Sequence, residues 1–351
     1  METKIVKAYG DPVKDAPVMA EAGKIIKAGG LVAIPTETVY GLAGDALNPD
    51  SARKIYEAKG RASDNPLIVH IADIGDMSYI TEGIPDMAYK LAEKFWPGPL
   101  TMILKKSDKV PLRTTGGLDT VAVRFPVNDI AREFIKASGG YIAAPSANVS
   151  GRPSCTSAKH CIEDLSGRIE MIIDGGEVGI GLESTIVDLT QDVPCLLRPG
   201  YISSRMLRDV LGDMDTDAAV YEQVSDDVRP KAPGMKYRHY APKGELTIVR
   251  GPKDEVITEI RRRIAEHEAR GEKCAVISSH ENARQYDPDK VRDIGSISDE
   301  EEIGRRLFSI LRDMDSMGIE YIYSESFDTP RLGEAIMNRL MKAAGHKVIE
   351  V

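Results

Sequence analysis

Leu31-Val32-Ala33-Ile34-Pro35-Thr36-Glu37-Thr38-Val39-Tyr40-Gly41-Leu42 runs a short apolar strand directly into two hydroxyls, a carboxylate and a phenol, closed by a glycine. An apolar run of this length ending at a proline reads as a buried strand. Polar groups at its end are placed to line a cleft mouth, where ligands of α/β sheets lie. The same residues would also serve as the cap of a following helix, so both readings stay open. Working outward, Leu67-Ile68-Val69-His70-Ile71, Leu100-Thr101-Met102-Ile103-Leu104, Val121-Ala122-Val123-Arg124 and Thr185-Ile186-Val187-Asp188-Leu189 read as further strands. Asp50 to Ala58 and Asp86 to Phe95 repeat apolar residues at helical spacing, so the region from Ala20 to about Gly200 is a mixed α/β domain.

After Arg198-Pro199-Gly200 the texture changes. Residues 211–227 are acidic and weakly periodic, and they lead into Lys231-Ala232-Pro233-Gly234-Met235-Lys236-Tyr237-Arg238-His239-Tyr240-Ala241-Pro242, a Pro/Gly-bounded segment with the character of a linker. From Glu245 onward strands at Leu246–Val249, Cys274–Ser278, Tyr321–Tyr323 and Lys347–Val351 alternate with helices at Asp254–Arg270, Glu301–Met317 and Arg331–Ala344. That alternation predicts a small Rossmann-like domain with a parallel sheet. The expected organisation is therefore a first domain over 1–205, a linker over 206–244 and a second domain over 245–351.

Composition narrows the function classes. The 351 residues carry 46 Lys+Arg against 55 Asp+Glu, a net charge of −9, with 42% hydrophobic residues. Any polyanion must therefore meet a local basic patch, because the field of the whole molecule repels it. No run approaches the roughly 18 apolar residues a membrane span needs, and no apolar signal core follows Met1-Glu2-Thr3-Lys4, which places the chain in the cytoplasm. The four cysteines show no CxxC spacing, and Cys155, His160 and Cys161 lack a fourth ligand, so no metal centre is expected. Walker, kinase and nucleophile-elbow signatures are absent, as is a glycine-rich dinucleotide loop after the first strand of the second domain.

What remains is a set of polar residues in or beside apolar strands. Lys59-Gly60-Arg61 can close on phosphate oxygens or simply compensate a helix C-terminus. His70 in its apolar strand is also open to a plain core role. Arg124 at the end of Val121-Ala122-Val123 needs an anion, because an unpaired buried charge is costly; a ligand or an internal carboxylate would supply it. Pro145-Ser146-Ala147-Asn148 and Gly151-Arg152-Pro153-Ser154 add hydroxyls on tight backbone, Glu183-Ser184-Thr185 opens a strand, and Arg198 ends another. If Lys59, Arg61, Arg124, Arg152 and Arg198 converge, they make a cationic bowl in an acidic protein.

Taken in order, the segments Pro35–Leu42, Lys59-Gly60-Arg61 with Asn65-Pro66-Leu67, Trp96-Pro97-Gly98-Pro99-Leu100-Thr101, Ala144–Asn148, Glu183-Ser184-Thr185 and Leu197-Arg198-Pro199-Gly200 resemble the YrdC-like family. With the linker Pro-Gly-Met-Lys-Tyr-Arg-His-Tyr, the whole chain resembles that family's long, two-domain threonylcarbamoyl-AMP synthases. The resemblance implies a twisted mixed sheet with helices around a concave cavity. It implies a nucleotidyltransferase that joins L-threonine, bicarbonate or CO2, and ATP into L-threonylcarbamoyl-AMP with release of pyrophosphate, the first step of threonylcarbamoyladenosine formation in tRNA. By the same resemblance Thr38, His70, Arg124, Ala144 (through its backbone) and Ser184 hold threonine. Lys59, Arg61, Asn65, Thr120, Ser146, Ser154, Arg198 and the linker residue Tyr237 hold ATP, and Lys59 and Arg61 carry the catalysis. Mg²⁺ is expected with ATP on charge grounds. The product would pass to the machinery that transfers threonylcarbamoyl to tRNA, with direct tRNA binding an open possibility, and the linker would fold over the nucleotide as a lid.

Two rivals remain at this level. A double-stranded RNA or tRNA-binding module without catalysis would use the bowl for nucleic acid, although an acidic chain with five Phe is an unusual RNA binder. A carbamoyl-adenylate-forming maturation enzyme shares the YrdC-like module, but would bring cysteine pairs that are missing here.

Overall fold

The computed structural model describes residues 1–222, 229–235 and 239–351. It divides into two compact units, Met1–Ser150 with Ser154–Lys236, and Gly151–Pro153 with Tyr237–Val351. The first unit contains β1 (Lys4–Lys7), α1 (Pro12–Lys27), β2 (Val32–Ile34), β3 (Gly41–Asp45), α2 (Pro49–Lys59), β4 (Ile68–His70), α3 (Met77–Ile80), α4 (Asp86–Phe95), β5 (Leu100–Lys105), β6 (Thr120–Arg124), α5 (Asp129–Ser138), β7 (Ile142–Ala143), α6 (Ala158–Leu165), β8 (Met171–Asp174), β9 (Thr185–Asp188), β10 (Cys195–Arg198), α7 (Ser204–Leu211) and β11 (Asp215–Thr216). Among the described residues its strands form one mixed sheet in the order β1-β8-β2-β3-β7-β4-β6-β5-β9-β10-β11.

Pro35–Val39 caps no helix. The chain turns back into β3, which runs antiparallel to β2 with Ile34 opposite Gly41, and the next helix begins only at Pro49. The strand Gly-Leu-Ala-Gly-Asp is hard to read from propensity because two glycines interrupt it. The structure supplies the reason for the second: a Cβ on Gly44 would lie 3.0 Å from Leu31 Cδ2 and 3.1 Å from Ile55 Cδ1, so α2 packs directly on the strand backbone. That helix starts at Asn48, whose side chain accepts from Asp50 N, and stops at Gly60, which takes the left-handed conformation at φ 60°. This stop leaves Lys59 in the last turn and Arg61 just beyond it.

Strands β4, β6 and β5 are buried on both faces. Val69, Val123 and Met102 point into the main core. Ile68, Ala122 and Ile103 point to the other side, where Ile186, Leu197, Ala219, Ala232 and Met235 cover them. The segment expected as linker from 206 onward thus belongs in large part to the first unit. Helix α7 buries Leu207, β11 pairs in parallel with β10, and Ala232 and Met235 lie on the sheet face. Burying a methionine contributes about 1.5–3 kcal/mol, enough to dock a segment whose Pro/Gly-bounded sequence reads as a linker.

The second unit holds β12 (Glu245–Arg250), α8 (Lys253–Ala269), β13 (Cys274–Ser278), β14 (Val291–Asp293), α9 (Glu300–Met317), β15 (Tyr321–Glu325), α10 (Gly333–Ala343) and β16 (Val348–Glu350). Its strand order is β14-β13-β15-β12-β16, with every pairing parallel, as the alternation predicts. At the carboxyl end of β15 the buried Glu325 carboxylate accepts from Ser278 Oγ, Ser279 N and Oγ, Asn282 Nδ2 and Tyr286 Oη, all at 2.9–3.1 Å. Five donors satisfy the charge and tie the loop after β13 to β15. Among the described residues no helix is long and apolar enough to cross a membrane.

Candidate active site

Sheet register assembles the first layer. His70 pairs with Arg124, Arg124 with Thr101, and Thr101 with Ile186. Cross-strand partners share a face, so His70, Arg124 and Thr101 form a polar row on the face that carries Ile68, Ala122 and Ile103 one step further along. Two residues beyond Ala122 on that face is Thr120, at the opposite end of β6. Four residue steps along the strand separate Arg124 from Thr120, about 13 Å. The face therefore offers a polar end, an apolar floor and a second polar end.

At one end the side chains are knitted together. Arg124 is 4% exposed; it donates from Nη1 to Thr38 Oγ1 at 2.8 Å, from Nη2 to Glu37 Oε1 at 2.6 Å and from Nε to the Gly98 carbonyl at 3.5 Å. Thr38 Oγ1 also contacts Thr36 Oγ1 at 2.8 Å. Thr101 Oγ1 bonds Ser184 Oγ at 2.7 Å, and Arg198 donates to the Ser184 carbonyl at 3.0 Å and its hydroxyl at 3.2 Å. A register shift between Leu196 and Arg198 turns two successive residues to this face. Leu197 joins the apolar floor while Arg198 reaches Ser184, as a bulge permits. His70 is buried, and burial beside the Arg124 guanidinium pushes it down to about 3, so the ring is neutral. Its Nδ1 then donates to the Ile68 carbonyl at 3.2 Å, which leaves Nε2 as an acceptor. Ala144 N donates to the same carbonyl.

The cations outside this row gather on the loops. Lys59 Nζ, 1% exposed as a residue, donates to the Ser146 and Asn148 carbonyls. Burial, reinforced by the Arg61 charge, lowers its pKa to about 7. Among the described residues no carboxylate lies within ion-pair distance of Lys59; two backbone carbonyls hold the desolvated ammonium, and the Asp164 charge acts on it only from beyond that distance. Arg61 donates from Nη2 to Asn65 Oδ1 at 2.5 Å and to the Pro66 carbonyl at 3.1 Å. Ser154 Oγ donates to Glu183 Oε1, one residue before Ser184.

The expected residues thus fall into connected groups. Thr38, His70, Arg124 and Ser184 share the polar row, with Ala144 bonded to β4 beside it. Arg198 joins the row through Ser184, and Ser154 reaches it through Glu183. Lys59 pairs with the loop of Ser146, and Arg61 with Asn65, while Thr120 opens β6 at the end away from Arg124. Tyr237 lies outside the described residues. Arg152 groups with the second unit: Gly151 takes a left-handed φ of 87°, and residues 151–153 cluster with that unit, where Arg152 Nη2 lies 3.9 Å from Asp315 Oδ2. One expectation is corrected. Tyr40 does not line a cleft; its hydroxyl donates to the Gly176 carbonyl and accepts from Gly175 N, and burial raises its pKa. Sequence reading gave Glu37 only a general place at a cleft mouth and passed over Thr101 and Glu183 as site residues, although all three stand inside the quoted segments. The available signal was a polar side chain at a strand end in each case.

Comparison with known proteins adds an independent line. Residues 24–200 match a family profile described as telomere recombination, which covers Sua5, YciO and YrdC proteins, and residues 202–345 match the C-terminal domain of threonylcarbamoyl-AMP synthase. The chain is 50% identical to the threonylcarbamoyl-AMP synthase of Pyrococcus abyssi, over 94% of this chain and 95% of that protein. It is 45% identical to the Bacillus subtilis protein of the same name, over 95% and 94%. The crystal structure of Pyrococcus abyssi Sua5 complexed with L-threonine superposes with a TM-score of 0.93 at 47% identity, covering all of both chains.

Proposed function

This chain belongs to the threonylcarbamoyl-AMP synthase family in its two-domain form, and we propose that it joins L-threonine, bicarbonate or CO2, and ATP into L-threonylcarbamoyl-AMP, with release of pyrophosphate. The relatives carry an enzyme's name over nearly the whole chain, and the reading as an RNA-binding module without catalysis is set aside on that ground. The observation that carries the proposal is the sheet face itself, where an arginine-centred polar row stands at the end of an apolar floor.

Threonine lies at the polar row, its carboxylate on Arg124 and its polar atoms on Thr38, Ser184, His70 Nε2 and the Ala144 backbone. The amine condenses with bicarbonate to a carbamate and water. A carbamate oxygen then attacks the α-phosphorus of ATP, and pyrophosphate leaves. Lys59 and Arg61 stabilise the charge that moves onto the departing group, since fixed cations in a dry site cost no reorganisation as the reaction proceeds. Lys59 is suited to this: phosphate oxygens replace the missing carboxylate and restore its proton. Asn65, Thr120, Ser146, Ser154 and Arg198 complete the ATP site. Among the described residues no group of three or more acidic, His or Cys side chains could cage a metal. The oxygen donors present, Ser146, Ser154 and Glu183, fit Mg²⁺ carried on ATP phosphates, where one or two protein groups suffice.

The chain after β11 acts as the lid. Arg198 Nη1 donates to the Pro233 carbonyl at 3.2 Å, and Ala232 and Met235 lie on the apolar floor, so this segment already touches the face where substrates bind. The product serves threonylcarbamoyl transfer to tRNA, a cytoplasmic process. Incubation with ATP, bicarbonate and each amino acid in turn, with pyrophosphate as the readout, tests the proposal. Threonine-dependent release is expected, and release independent of the amino acid, or none, refutes it.

A further inference from the structure

We infer that Glu37 receives the α-ammonium group of the amino-acid substrate and forms, with Arg124, a two-charge clamp for a zwitterion. The inference rests on placing the amino acid at the polar row and deepens that reading. Glu37 Oε1 accepts from Arg124 Nη2 at 2.6 Å, whereas its second oxygen, Oε2, is buried with no hydrogen-bond partner. A buried carboxylate oxygen without a donor is costly, and such an atom calls for an explanation. A donor brought by the ligand supplies one.

The geometry of the loop makes Glu37 a fixed receptor. Its carbonyl accepts from Ile180 N at 2.9 Å, and the next carbonyl, of Thr38, accepts from Gly181 N at 3.0 Å. Thr36 Oγ1 accepts from Thr38 N and Val39 N, which closes the turn on itself. The Glu37 side chain is 11% exposed and that of Arg124 5%, so water competes little for either charge.

Arginine has five N–H donors. Three of them are engaged here, one each on Nε, Nη1 and Nη2. Each terminal nitrogen keeps a second N–H, and a planar pair of donors suits bidentate binding of a carboxylate. One ion pair thus presents two free N–H groups beside one free carboxylate oxygen, the complement of an α-amino acid's carboxylate and ammonium. His70 is neutral and adds no competing positive charge. When the site is empty, Glu37 serves as the internal counter-ion that lets Arg124 be buried.

The test compares wild type with Glu37→Gln in equilibrium titrations with L-threonine and with its analogue bearing hydroxyl in place of the α-ammonium. Loss of a charge-assisted bond in a buried site should weaken threonine by at least roughly thirty-fold. The hydroxy acid brings no positive charge to Glu37, so it should lose far less affinity in the variant than threonine does. Equal losses for both ligands would assign Glu37 to orienting Arg124 and overturn the inference, as would threonine affinity within threefold of wild type. A readout on the unaltered protein guards against a misfolded variant: wild type should bind the hydroxy acid at least roughly thirty-fold more weakly than threonine, and equal affinity refutes the clamp. Absence of threonine-dependent pyrophosphate release by wild type would instead strike the proposed function.

Discussion

Lys59→Met is the substitution whose consequence the structure makes most specific. In the unfolded chain lysine keeps its proton to its ordinary value of 10.5, whereas burial and the Arg61 charge bring the folded group to about 7. Between these values the unfolded state binds the additional proton, so stability must rise with pH. At 1.36 kcal/mol per pH unit, the two units from pH 7 to pH 9 amount to about 2–3 kcal/mol gained by wild type. The thioether of the variant cannot titrate, so the variant shows no such gain. Near pH 6 it sheds the cost of a buried ammonium but strands the Ser146 and Asn148 carbonyls, about 1–3 kcal/mol each, so the two proteins should be of similar stability there. The single tryptophan, Trp96, is buried in the first unit and bonded to the Leu100 carbonyl at 2.7 Å. Its fluorescence in urea titrations therefore reports this unit alone. Wild-type and variant stabilities that run parallel from pH 6 to 9 would refute the account of Lys59 as an unpaired buried cation. The variant should also lose about two orders of magnitude in pyrophosphate release, as expected when a cation facing developing charge is removed.

Arg124→Lys keeps the charge but loses the fork, and should raise the KM for threonine roughly thirty-fold with ATP affinity unchanged; an equal loss for both substrates would contradict the division of the site. Gly200→Ala places a Cβ 2.6 Å from Thr185 N and 2.7 Å from the Glu183 carbonyl, both backbone atoms of the segment carrying Ser184. It should cost about 1–3 kcal/mol or more in the Trp96 titration and weaken threonine binding as well, and wild-type values for both would refute the close approach. Tyr286→Phe removes one of the five donors to Glu325, and amide exchange in β13 and β15 should accelerate by an amount equivalent to about 1–3 kcal/mol; unchanged exchange in both strands would contradict the tie.

The fold was legible wherever the signal is local. Val32–Ile34, Ile68–His70, Leu100–Lys105, Thr120–Arg124 and Thr185–Asp188 are strands as their apolar runs indicate, and Asp86–Phe95 is a helix over its full expected span. In the second unit all four expected strands and three helices are present. The losses come where packing overrides composition. β3 contains two glycines, of which Gly44 answers to the close approach of α2 and Leu31 and Gly41 to that of Ala144. β14 is a three-residue strand of half-buried residues. The chain after Leu211 read as a linker, yet apolar positions as sparse as Ala219, Ala232 and Met235 suffice to lay it on the sheet.

The candidate site divides along the same line. Sequence alone determined which chemical groups exist and that they stand at strand ends and tight turns, because hydrophobic period and turn chemistry act over a few residues. It also marked Arg124 as a buried charge in need of an anion, though it could not say which. Tertiary structure decided the partners: Glu37 for Arg124, two carbonyls for Lys59, Ser184 for Thr101 and Arg198. It also decided that Arg152, one residue past a left-handed glycine, leaves for the other unit. Strand register and bulges set those choices, and they join residues as far apart in the chain as Thr38 and Arg124 or Thr101 and Ser184. Pairing over such separations is fixed by the burial of whole sheet faces, since a slip of one residue would turn every side chain to the wrong side.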